Sequence, residues 1–116
     1  GKSNWGYIFS VYMRHADPAP QYGTIGTLSG SGPYSSVTFG GVTVAADDSL
    51  GFTQTTNWNG GRTHTSSGWT QQAHDGFTAS FIHTQALDSG ATGNITFNVS
   101  ASDSDLQGKL YVFNPA

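Results

Sequence analysis

Apolar residues along this chain recur at every second position, and no stretch keeps the spacing of an amphipathic helix. In WGYIFSVYM, Trp5, Tyr7, Phe9, Val11 and Met13 share one face, while Gly6, Ser10 and Arg14 fall opposite beside Ile8 and Tyr12. Burying such a face is worth about 1.5 to 3 kcal/mol per large side chain, so the pattern predicts a central core strand. Pro18 and Pro20 then interrupt the ladder, because proline donates no backbone hydrogen bond and restricts the residue before it. YGTIGTL reads as a short strand and SGSGP as a turn or exposed loop.

Further along, SSVTFGGVTVAADD predicts a hairpin around Gly40 and Gly41, with Val37 and Phe39 entering it and Val42 and Val44 leaving it. DDSLG turns the chain into FTQTTNW, where Asn59 and Gly60 form the strongest two-residue hairpin signal present. That turn would pair Trp58 with Gly61, Asn57 with Arg62, Thr56 with Thr63 and Thr55 with His64. Such a ribbon is polar on both faces, so it adds little to a core and is free for recognition or assembly. GFTASFIHT alternates with Phe77, Ala79 and Phe81 on one face, and His83 follows on the same face. NITFNVS places Ile95, Phe97 and Val99 inward and Asn94, Thr96 and Asn98 outward. KLYVFN is apolar on both faces, as a strand buried on two sides or lying at an interface would be. The tally is about eight to ten short strands, all-β, in one antiparallel sandwich of jelly-roll type spanning 1–116.

Composition narrows the setting. Charged residues make up 9% of the 116 positions, against roughly 25% in an ordinary soluble domain. Ser, Thr, Asn, Gln and 16 glycines replace them, so the surface is polar and mostly uncharged, which suits a virion or extracellular surface. With a net charge of -3 and no cluster of Lys or Arg, nucleic-acid binding has no electrostatic footprint. No apolar run nears the roughly 20 residues that cross a bilayer as a helix, so no membrane partner is expected. The absence of cysteine excludes disulfides and thiolate metal sites.

Catalytic chemistry finds little purchase. G-x-S-x-G is missing, and five of the seven Asp (Asp17, Asp47, Asp48, Asp88, Asp105) sit in turn-like segments where Asp bonds its own backbone. His15, His64, His74 and His83 lack the short spacings that bring two imidazoles onto one metal. His83 reads as a satisfied core-edge or interface residue and His64 as solvent-facing on the hairpin. Asp103 with Asp105, and Asp47 with Asp48, are the pairs a loop calcium would use, but the EF-hand pattern is missing. No cofactor and no catalytic set is expected.

The segment TTNWNGGRTHTSSGWTQQAHDG therefore carries the candidate site: Trp58, Asn59, Arg62, His64, Trp69, Gln71 and His74. Exposed indoles beside amides suit a sugar face; equally, the indoles cap the sandwich or meet a neighbouring subunit.

The run GFTASFIHTQALDSGATGNITFNVS followed by GKLYVFNPA resembles the closing strands of small β-sandwich domains in virion proteins of tailed bacteriophages. Those domains are similar to the trimeric jelly rolls of the tumour-necrosis-factor and complement globular-head class. The resemblance covers about the last 40 residues and carries no functional residue with it. It implies a non-enzymatic virion protein, a capsid decoration or cement protein or a fibre head, acting as a homo-trimer among other virion proteins. A carbohydrate-binding module using Trp58 and Trp69 against a cell-surface glycan is the alternative.

Overall fold

The computed structural model describes residues 16, 17, 19–75 and 80–116. The expected first strand, Trp5 to Met13, lies outside the described residues, as do Phe77 and Ala79. Among those described, every regular element is a strand: β1 (Tyr22–Ile25), β2 (Tyr34–Phe39), β3 (Thr43–Val44), β4 (Ser49–Asn57), β5 (His64–Thr65), β6 (Thr70–Asp75), β7 (Ser80–Leu87), β8 (Gly90–Ala91), β9 (Ile95–Asp103) and β10 (Leu106–Phe113).

Pairing is nested and antiparallel. β1 joins β10, β2 joins β9, β3 joins β8 and β4 joins β7, so among the described residues the first strand meets the last and each later pair closes inside the one before. Additional ladders set β4 against β10, β5 against β9 and β6 against β7. The result is a five-stranded sheet β1-β10-β4-β7-β6 facing a three-stranded sheet β2-β9-β5, with the short β3-β8 pair apart. A long hairpin rolled up in this way is the jelly-roll form of the antiparallel β-sandwich. It departs from the symmetric form at β6, which stays on the edge beside β7.

Alternation places the core as the sequence implies. Val37 and Phe39 of β2, Ile95, Phe97 and Val99 of β9, and Leu106 and Leu110 of β10 form one buried cluster, with Phe39 and Phe97 edge-to-face at 6.3 Å. Val42, Val44 and Val112 form a second. Gly108 lets the sheets close here: a Cβ on it would stand 2.8 Å from Phe39 Cζ and 3.2 Å from Val37 Cγ2. β10 hides Leu106, Gly108, Leu110 and Val112 and leaves Tyr111 and Phe113 half-buried, so its second face is only partly covered.

Both expected hairpins are replaced by crossings. Val37, Phe39, Val42 and Val44 are all buried as their pattern demands. Yet β2 pairs with β9 and β3 with β8, and Gly40 and Gly41 carry the chain between them rather than reversing it. Likewise Asn59 and Gly60 do not pair β4 with β5. They take the chain from the five-stranded sheet to the three-stranded one, and the expected register from Trp58–Gly61 to Thr55–His64 does not form.

Candidate functional site

β4 is the unusual strand. Its interior face is Ser49, Gly51, Thr53, Thr55 and Asn57, all buried, and none carries a large apolar side chain. The space above these small residues is filled from elsewhere. Trp69, delivered by the turn in which its N–H bonds the Ser66 carbonyl, lies over Gly51, where a Cβ would come within 2.7 Å of the indole. Its ring meets Phe97 edge-on at 5.6 Å. His64 of β5 fills the space over Thr55.

His64 is therefore a core residue, 1% exposed, and not the solvent-facing hairpin residue its surroundings in sequence imply. Asn57 donates through Nδ2 to Asp103 Oδ2 at 2.8 Å, which turns its Oδ1 toward His64 Nε2 at 2.7 Å. That orientation fixes the imidazole as the Nε2–H tautomer, and Nδ1 accepts from the Thr55 hydroxyl at 2.6 Å. Because Thr55 and Asn57 belong to one sheet and His64 and Asp103 to the other, this chain ties the two sheets together.

Asp103 is the centre of the brace and was missed as such: its sequence context suggested a loop calcium pair with Asp105. It is buried. Besides Asn57, its Oδ2 accepts from Asn59 N at 2.8 Å and Asn59 Nδ2 at 3.1 Å, and its Oδ1 accepts from Asp105 N at 3.0 Å. Burial raises its pKa, but these hydrogen bonds outweigh it and hold the carboxyl below the ordinary carboxylate value. An ionised Asp103 thus fixes the start of the 58–62 loop. Arg62 fixes its end, through Nη1 to the Gly60 carbonyl at 3.3 Å and Nη2 to the Ser102 carbonyl at 3.1 Å.

Around this brace the three described histidines gather near one ring, Phe81. His64 lies 4.2 Å from Phe81 at 31°, and His74 stacks on Phe81 at 4.2 Å and 11°. His83 is buried too, 4.9 Å from Phe97 and 6.2 Å from Phe81. One side of its ring has a backbone hydrogen bond with His64, while Nδ1 is buried with no partner. The expectation of a satisfied core-edge histidine holds for burial and fails for one nitrogen. Burial, then the nearby His83 and His74, press the His64 pKa down to about 4, against a smaller upward pull from Asp103. Burial likewise lowers His83. Both imidazoles are neutral at pH 7.

Hydroxyl, imidazole and amide stand here in the order of a nucleophile, its base and an orienting group. Thr55 is 0% exposed, so no substrate reaches its oxygen in this conformation. No group of three or more His and carboxylate residues suited to a metal ion occurs among the described residues.

The candidate residues do not form one site. Trp58, Asn59 and Arg62 share the braced loop, and Trp58 is 41% exposed. Gln71 and His74 lie exposed on the edge strand β6. Trp69 is half-buried against the core beside Gly51, six residues along β4 from Asn57, roughly 20 Å at strand spacing. A two-indole platform is therefore not formed. Comparison with protein-family models, curated proteins and solved structures finds no match.

Proposed function

We propose that the domain is a non-enzymatic structural protein of a virion surface, a capsid decoration or fibre head domain, that works by homo-oligomeric association and displays the Trp58 loop as a contact. The observation that carries this is the division of labour within the polar segment. Its one nucleophile-like set is sealed inside and spent on joining two sheets, while its exposed aromatic stands on a loop held at both ends. A preorganised loop loses little conformational entropy on contact, which favours association. The jelly-roll pairing supports the resemblance to trimeric virion domains, and the trimer itself follows from that resemblance. Analytical ultracentrifugation at micromolar concentration tests it: a stable trimer is expected, weakened by Trp58→Ala, and a stable monomer removes the reading.

The same loop favours a second reading, a glycan site resting on Trp58 alone. A pyranose stacks on an exposed indole, and Asn59 lies beside it. Glycan-array screening decides between them, with loss of a specific signal in Trp58→Ala supporting the glycan site and no wild-type signal removing it. Trp69→Ala does not serve here, because that indole is half-buried against the core over Gly51.

A further inference from the structure

We infer that the brace is an acid-operated latch: protonation of His64 breaks the chain from Asp103 through Asn57 to Thr55 and frees the 58–62 loop while the sandwich stays closed. The device belongs to the fold and does not depend on what the loop touches.

The loop is held through a small set of atoms. Asn59 is tied to Asp103 by both its backbone N–H and its side chain, and Asn57 Nδ2 bonds both Asp103 and the Asn59 carbonyl. On its other side the Asn57 amide is held by His64, whose Nε2–H it accepts through Oδ1. His64 thus sits one residue removed from every bond that fixes the start of the loop.

A proton on His64 Nδ1 upsets this arrangement at two points. The Thr55 hydroxyl now has to accept where it had donated, inside a site with no exposed surface. The new charge also faces His83 on β7 and His74 on β6, both of which oppose it, and Asp103 at the end of β9, which attracts it. Direct pairing with Asp103 requires Asn57 to leave its place between them, which breaks its bond to the Asn59 carbonyl, and draws toward the imidazolium the Asp103 Oδ2 that holds Asn59 N and Nδ2; together these movements release Asn59. A proton on His83 adds to the strain, since its Nδ1 has no acceptor. The aliphatic and aromatic core of Val37, Phe39, Phe97 and Leu110 meets a titratable ring at Phe97, where His83 packs edge-on, and its apolar packing keeps the sandwich closed.

Hydrogen exchange by NMR between pH 7 and pH 3, corrected for intrinsic rates and recorded alongside the imidazole titrations, tests the latch. The Asn59 amide, bonded to Asp103, is expected to lose at least tenfold protection with a midpoint that tracks His64. The Thr53 and Leu110 amides, in the central β4–β10 ladder, keep theirs. His64→Gln, whose amide still donates to Asn57 but does not ionise, is expected to hold the loop closed at pH 4. Loop protection that is unchanged through the His64 titration overturns the inference. So does simultaneous loss at Asn59, Thr53 and Leu110, which is global unfolding. Should His64→Gln fail to fold, the wild-type midpoints alone decide.

Discussion

Stability should fall as the solution is acidified from pH 6.5 to pH 4, and His64 is the main cause. Its pKa is about 4 in the folded chain against 6.5 in the unfolded one. Above pH 6.5 the imidazole is neutral in both states and contributes no pH dependence. Below it the unfolded chain takes up a proton that the folded chain refuses, so unfolding is favoured increasingly until the folded value is reached. A gap of about 2.5 units at 1.36 kcal/mol each amounts to about 3 kcal/mol. His83, also lowered by burial, acts in the same direction. Asp103 and Asp47 are held below 3.8, so the stability they contribute is lost only at lower pH and leaves this window clear. Loop opening that lets His64 ionise early reduces the loss, which makes about 3 kcal/mol the ceiling for that residue. Urea unfolding at half-unit intervals measures it: with a slope of about 1.5 kcal/mol per molar, the midpoint should drop by up to about 2 M. The His64→Gln variant should show a much shallower drop. A midpoint that is flat from pH 7 to pH 4, or one that falls equally in His64→Gln, refutes the reasoning.

The two tryptophans should separate cleanly in chemical denaturation. Trp58→Ala changes stability by no more than about 0.5 kcal/mol, as an exposed loop residue does, whereas Trp69→Ala, which empties the space over Gly51, costs about 3 kcal/mol. Asp103→Ala strands the Asn57 amide in the interior and should cost about 3 to 5 kcal/mol, with loss of Asn59 amide protection at neutral pH as its local signature. Gly108→Ala forces a methyl against Phe39 and Val37 and should cost about 1 to 3 kcal/mol, while Gly40→Ala, with open space around it, is neutral or slightly stabilising.

Within the candidate segment, sequence reasoning located the exposed loop and misplaced the imidazole. Trp58, Asn59 and Arg62 are together because three residues of one turn cannot be elsewhere. His64 sits among Thr, Ser and Gly in sequence, which looks like solvent-facing ribbon. It is buried because the small interior face of β4 leaves a hole of imidazole size, lined by Thr55, Asn57 and Phe81, and a neutral ring with two hydrogen bonds fills it without an unmet polar group. The signal available beforehand was the run Thr53, Thr55, Asn57 at alternate positions: a strand whose buried face is small and polar needs partners for those groups. Asp103 carried a similar hint, standing four residues after Val99 on the same alternation as Ile95, Phe97 and Val99.

The alternation alone determined the all-β class and which residues of β2 and β9 face inward, because side-chain direction in a strand is a local property with period two; for β10, apolar on both faces in sequence, the structure chose. Turn chemistry placed the points where the chain changes direction. Tertiary structure alone decided which strands become neighbours. A Gly-rich or Asn-Gly turn permits a tight reversal, but it also permits a crossing to the opposite sheet, and nothing local distinguishes the two. The choice follows from the total apolar surface covered when β1 meets β10, a quantity spread over some ninety residues of chain between Tyr22 and Val112. The same global choice brought His64, Phe81 and Asp103 together and turned a polar stretch into the brace between two sheets.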